Sequence, residues 1–266
     1  MSGIKSAVNS RLWDPAQNLF FDNDQNQTAT AIHPQDGNSW AIVSSIVDAS
    51  RASLISTSLM KRWVRPYGAP APEAGATISP FASGFEVQAH YLAGFPERAV
   101  ELVEFMWADF MLDDPRMTNS SFIEGYSTNG DLHYAPYDND ARVSHAHGWA
   151  TGPTSALTFL GAGMQVTGAA GKTWLVQPRM GRLRKIKAGF QTKLGRFDVR
   201  WSVGDIGTLS GWFETPTGTS GSLILPGGNS SMVVVGLNGR VLPSSKVDGV
   251  IMFSDLPGGM YKVNKA

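Results

Sequence analysis

The hydrophobic period of this chain changes once, and that change points to two separately folded parts. Up to about residue 160, apolar residues recur at helical spacing. Trp40, Val43, Ile46 and Val47 follow an Asp36–Asn38 start signal. Ser50 is placed to cap a second helix running to about Trp63, which Pro66 then ends. Residues 67–80 are rich in Pro, Gly and Ala and read as a loop; Phe85–Phe95 reads as a third helix, and Pro96 opens a fourth. On the fourth helix, Ala99, Leu102, Val103, Met106, Trp107 and Phe110 form one broad apolar stripe, which suits packing rather than a cofactor box. A last helix is expected from about His145 to Leu160.

From Thr173 the runs are short and rich in β-branched and aromatic residues: Trp174–Gln177, Gly189–Lys193, Phe197–Val203, Leu209–Phe213, Gly221–Leu225, Ser231–Val235 and Gly249–Phe253. Turn signals such as Pro226-Gly227-Gly228 and Asn238-Gly239 separate them, the pattern of an antiparallel β-sandwich. The expected fold class is α+β multidomain, with a helical domain over 1–163 and a β-sandwich over 164–266. Gly161–Gly171 reads as the linker. Its glycines follow a helix and precede a strand, the reverse of a dinucleotide loop, so no cofactor is expected.

Charge divides along the same line. Residues 1–160 carry 17 acids and 9 bases, and residues 161–266 carry 5 acids and 13 bases. Domains of opposite sign attract at close range. The basic residues from Arg179 to Arg200 lie in strand-like sequence without a nucleic-acid motif, so no nucleic-acid partner is expected. Cysteine is absent, which excludes disulfides, zinc-thiolate sites and thiol nucleophiles. No apolar run approaches the ~18 residues of a membrane span, so no membrane partner is expected. Met1–Arg11 lacks the apolar core of a signal peptide, and localisation stays open. Sequons stand at Asn26, Asn119 and Asn229.

Helical hairpins with polar loops suit an α/α toroid, of which five or six helices make half a ring. The opening of the chain reads as the end of a helix before Leu12-Trp13-Asp14-Pro15, and truncation is the expectation. Specific blocks then resemble a known family. Asn18-Leu19-Phe20-Phe21-Asp22 and His33-Pro34-Gln35-Asp36-Gly37-Asn38-Ser39-Trp40-Ala41 are similar to late hairpins of six-hairpin glycosidases. Ser120-Ser121-Phe122-Ile123-Glu124-Gly125-Tyr126, followed by Ser144-His145-Ala146-His147-Gly148-Trp149, resembles the fungal-type α-L-rhamnosidases, similar to glycoside hydrolase family 78. Lys172-Thr173-Trp174-Leu175-Val176-Gln177-Pro178 resembles the start of the β-sandwich that follows the barrel there. The resemblance implies the C-terminal portion of such an enzyme: a partial (α/α)6 six-hairpin barrel, then a β-sandwich. It also implies a rhamnosylated carbohydrate substrate, an inverting mechanism and relatives that are often secreted.

Inversion needs two carboxyl groups roughly 6.5–9.5 Å apart, an acid for the leaving oxygen and a base for water. By resemblance Glu124, in the long polar stretch 112–144, is the base; on the residues alone it fits a surface Glu or a loop-capping carboxylate better. The acid lies in an earlier loop of the family. Asp36 reads as a helix-start residue, Glu86 as a helix-surface or supporting group, and Asp113 and Asp131 as turn and loop acids, so none takes that role. His145, His147, Trp149, Trp40 and Tyr126 are candidate sugar contacts, with helix-start histidines and ordinary core or rim aromatics as the alternative. His145 and His147 could also ligate a metal, but no third ligand stands out and no metal is expected. Three functional readings follow: an α-L-rhamnosidase-like hydrolase, a non-catalytic carbohydrate-binding or barrel-completing fragment, or an unrelated helical-plus-β binding protein.

Overall fold

The computed structural model describes residues 2–28, 30–205, 207–226, 232–236, 241–242, 245–247 and 249–265. The chain divides into two compact units, Met1–Ala156 and Leu157–Ala266.

The first unit is helical. Helix α1 (Ser2–Arg11) leads into a small ladder of β1 (Trp13–Asp14) with β2 (Leu19–Phe20). Helices α2 (Gln35–Val43) and α3 (Ala49–Met60) follow. Strand β3 (Thr77–Ile78) pairs antiparallel with β4 (Tyr126–Ser127). Between them lie α4 (Pro80–Leu92) and α5 (Pro96–Leu102), the latter continuing with π-type winding through Val103–Leu112. A 3-10 turn at Gly148–Thr151 opens α6 (Gly152–Ala156).

The last helix starts later than His145, with the turn Gly148–Thr151, and α4 ends at Leu92, short of Phe95. Three further differences from the sequence expectation have a local reason. α3 is capped by Asp48, whose carboxylate accepts the Arg51 N–H at 2.8 Å, rather than by Ser50. α2 stops at Val43, Ser45 adopts a left-handed φ of 57°, and Val47 enters the core from beyond the helix. α4 begins five residues before Phe85, because Ser79 supplies the cap and Pro80 suits the first helical turn.

Leu19, Phe20, Ala41, Ile42, Ile55 and Leu59 form an apolar cluster under α2 and α3. Helices α4 and α6 approach to backbone contact. A Cβ on Gly152 would stand 2.6 Å from the Gly84 Cα, and one on Gly84 would stand 3.0 Å from the Gly152 Cα. Only glycine at both positions allows these helices to touch.

The second unit contains two five-stranded sheets. The first runs in the order β12 (Ser245–Val247), β13 (Val250–Pro257), β10 (Ser220–Pro226), β6 (Thr173–Val176), β5 (Met164–Val166). The second runs β11 (Met232–Gly236), β14 (Met260–Lys265), β9 (Leu209–Glu214), β8 (Gly195–Val203), β7 (Lys185–Thr192). Side chains from both sheets enter one apolar cluster: Trp174, Leu223 and Phe253 from the first, Phe197, Trp201 and Phe213 from the second. Its buried indoles are satisfied, Trp174 Nε1 by Thr219 Oγ1 at 3.0 Å and Trp201 Nε1 by the Ala162 carbonyl at 2.9 Å.

Pairing is antiparallel except between β6 and β10, which run parallel, so the first sheet is mixed. The sequence runs also omitted β5, β12 and β14. The segment read as a linker holds β5, whose Met164 is fully buried. Gly227-Gly228, Ser231, Asn238-Gly239 and the sequon Asn229 lie outside the described residues.

Replacing Gly152 with alanine forces α4 and α6 apart. Overpacking of this kind typically costs about 1–3 kcal/mol. Urea unfolding of Gly152→Ala should show a lower midpoint with an unchanged slope, and an unchanged midpoint would mean the helices separate freely.

Candidate functional site

Burying a carboxylate is expensive unless donors surround it. Glu124 is 2% exposed, and the polar stretch around it is organised to meet that demand. Two lengths of extended backbone lie side by side: the Glu124 N–H donates to the Ser144 carbonyl at 2.8 Å, and the His147 N–H donates to the Phe122 carbonyl at 2.9 Å. This pairing delivers the Ser144 N–H to Glu124 Oε2 at 3.2 Å. The Tyr137 hydroxyl donates to Oε1 at 2.6 Å. His147 Nδ1 lies 3.6 Å from Oε2, and the Trp149 indole N–H donates to the Glu124 backbone carbonyl at 3.2 Å. An ionised carboxylate offers about four lone-pair sites, so the pair of close donors leaves acceptor capacity for a water or a hydroxyl.

The floor of the site is set by a close contact. A Cβ on Gly125 would lie 2.3 Å from the Tyr134 ring, so the ring rests directly on that backbone. The Tyr134 hydroxyl bonds to Ser79, the cap of α4, which ties the loop to the helix start. Burial, and secondarily the Glu124 charge, raise the Tyr134 phenol. Tyr137 is raised mainly by its hydrogen bond to Glu124, because losing the proton would set two anions against each other.

From the carboxylate a row of aromatic rings runs across three helices. The His147 ring packs on Trp149 at 4.4 Å, Trp149 on Phe81 at 5.2 Å, Phe81 on Phe85 at 5.1 Å, and Phe85 on Trp40 at 4.5 Å. Trp149, Phe81 and Trp40 keep 39%, 46% and 46% of their surface open. The row exists because α4 touches α6 through Gly84 and Gly152, and because Gln35 Nε2 ties α2 to Glu86 of α4 at 2.7 Å. Trp107 Nε1 donates to the Ala150 carbonyl at 2.8 Å and fixes the turn that carries Trp149.

The structure therefore brings together Glu124, His147 and Trp149, and connects Trp40 to them through Phe81 and Phe85. It does not bring Tyr126. That side chain is fully buried, its hydroxyl donates to the Tyr67 carbonyl at 2.7 Å, and its ring packs on Phe110. Tyr126 is therefore a structural residue of the β4 ladder and offers no open ring face. His145 contributes its backbone carbonyl, which accepts from Ser121 Oγ at 2.7 Å, and its ring is not among the groups that meet Glu124. Glu86 is not a helix-surface group. It is buried and bonded by Trp63 Nε1 at 2.6 Å and by Gln35, with His90 Nε2 at 3.2 Å. Tyr134, Tyr137 and Ser144 were not identified from sequence; the Tyr-x-x-Tyr spacing in an aperiodic polar stretch was the available signal. No cluster of three metal-ligating side chains occurs among the described residues.

The Tyr137–Glu124 pairing predicts an alkaline titration. Because the folded phenol is raised, its stabilising contribution is complete below the ordinary value of about 10 and is lost as pH climbs through the raised value. In Glu124→Gln the Tyr137 transition, followed by NMR of the tyrosine Cζ, should fall toward the ordinary value. An unmoved transition would contradict the pairing.

Comparison with known proteins follows the same outline. Residues 163–240 match the family described as bacterial alpha-L-rhamnosidase C-terminal domain. No curated protein matches the chain. Among solved structures, the α-L-rhamnosidase from Dictyoglumus thermophilum superposes with a TM-score of 0.66 at 14% identity, over 99% of this chain and 28% of that one. The family 78 rhamnosidase of Bacillus sp. GL1 gives 0.61 at 18% identity, over 84% and 22% of the respective chains. The Streptomyces avermitilis α-L-rhamnosidase, solved with L-rhamnose, gives 0.56 at 13%, over 87% and 21%. The chain thus spans about a quarter of the length of these structures. In its C-terminal domain and in its fold, the chain resembles the C-terminal portion of the α-L-rhamnosidases of glycoside hydrolase family 78.

Proposed function

We propose that this chain forms the base-bearing part of an inverting glycosidase acting on terminal α-L-rhamnosides. In this reading 1–163 is the C-terminal part of an (α/α)6 catalytic domain and 164–266 a β-sandwich. Glu124 takes a proton from the water that attacks the anomeric carbon. Tyr137 and the Ser144 N–H hold its carboxylate in place, and Trp149 offers a flat apolar face to the sugar ring. His147, between carboxylate and indole, is placed to donate to a hydroxyl. The general acid comes from residues outside this sequence.

The observation that carries the reading is the buried, donor-held Glu124 carboxylate at the head of an exposed aromatic row. A surface or merely capping carboxylate would need neither the Tyr137 hydroxyl nor an indole beside it. The second reading, a non-catalytic fragment that binds carbohydrate or completes a barrel, has its own support. Ile4, Leu54, Trp40 and Phe81 are exposed apolar side chains on helices, of the kind that adjoining hairpins cover.

Leaving-group chemistry separates the two. A dinitrophenolate departs without a proton, so dinitrophenyl α-L-rhamnoside needs the base and not the acid. The chain should hydrolyse it slowly and should leave alkyl rhamnosides intact, and Glu124→Gln should reduce that turnover by about 10²–10⁴-fold. Turnover that survives Glu124→Gln, or rhamnose binding without any turnover, would defeat the hydrolase reading.

A further inference from the structure

The outer face of the second sheet breaks a rule of strand pairing. In β7, β8, β9 and β14 the residues turned inward include Phe197, Val199, Trp201, Phe213 and Val263, all in the core. Alternation therefore turns Lys187, Arg200, Trp212 and Lys262 outward. The register places them in one row across four strands: Lys187 opposite Arg200, Arg200 opposite Trp212, Trp212 opposite Lys262. Like charges placed directly opposite destabilise a sheet, yet Lys187 faces Arg200. Among the described residues none of the three cations makes a salt bridge. Arg200 is held instead over the Trp212 ring, 5.1 Å from its centroid.

The neighbouring row holds Asp198 opposite Glu214. Neither acid pairs with the three cations: Asp198 is committed to Arg196 at 2.8 Å, and Glu214 makes no salt bridge among the described residues. An unpaired like-charge pair beside a tryptophan is where a role outside the fold is to be sought.

We infer that this face binds an anionic polysaccharide of the polyuronate class. The sugar carboxylates would meet Lys187, Arg200 and Lys262, a pyranose ring would lie against Trp212, and Glu214 would accept from hydroxyls. Strands about 4.8 Å apart make the row roughly 14 Å long, enough for more than one ring. Duplex nucleic acid carries a charge about every 1.7 Å, far denser than three cations with Glu214 alongside. This site is independent of Glu124.

Affinity electrophoresis of the full chain tests it, with polygalacturonate, dextran or duplex DNA cast in the gel. Polygalacturonate should retard the chain and dextran should not. Trp212→Ala and the triple variant Lys187→Gln/Arg200→Gln/Lys262→Gln should each weaken binding at least tenfold, while Lys193→Gln binds as the parent does. The triple variant, which removes the like-charge pair, should melt no lower than the parent, which shows that its lost binding is not lost folding. No retardation, retardation that survives Trp212→Ala, or equal retardation by DNA would overturn the proposal.

Discussion

A carboxylate removed from water must be given donors by the protein, and in the first unit one such group orders a long aperiodic stretch. Glu124 sits in sequence with little hydrophobic period, where packing fixes only parts of the path, Tyr134 on Gly125 and Tyr126 on Phe110. What holds it is polar: the Ser144 N–H and the Tyr137 hydroxyl on the two carboxylate oxygens, and the 122–124 and 144–147 backbones bonded to each other. Remove that charge and both donors lose their acceptor, so loop and site are one object. Loops without regular structure normally fray; this one is fixed from its centre outward.

The helices contribute position. Two glycines facing each other let α4 and α6 approach to backbone contact, and a buried Gln35–Glu86 hydrogen bond binds α2 to α4. Both contacts join elements that carry the rings, so the order of the rings follows from packing. Glu86 itself is surrounded by Trp63, His90 and Gln35 and leaves no surface for a ligand. Two buried glutamates thus differ in role through their partners alone: one is walled into the helix interface, the other stands where an indole and an imidazole keep open faces.

The division into a helical and a β part was legible because burial imposes a period of about 3.6 or of 2 on apolar residues, whatever the partners. Boundaries were less legible. Asp48 and Ser50 are both good cap residues two positions apart, and the sequence does not say which side chain accepts the helix N–H. The late placement of the α4 start hid Phe81 and Phe85 as an i, i+4 pair on one helix face, and with it half of the aromatic row. Strand β5 was concealed by the glycines around Met164, and the parallel β6–β10 pair leaves no mark in either strand. Within the site, Glu124, His147 and Trp149 could be singled out because they are close in sequence to one another's motifs. Tyr137 could not, because its contact depends on the path of the loop. Tyr126 failed as a sugar contact for a related reason: pairing of β4 with β3 turns its ring inward, and one strand read alone does not reveal its partner.

The central claim is that the Glu124 carboxylate, the His147 imidazole and the Trp149 indole face one sugar ring. Titrating L-rhamnose into the isotopically labelled chain and following the Trp149 indole N–H and His147 ring resonances tests it most directly. The account predicts that both move together along one saturation curve, with the tryptophans of the β unit unmoved. Saturable shifts elsewhere with Trp149 and His147 stationary would contradict it.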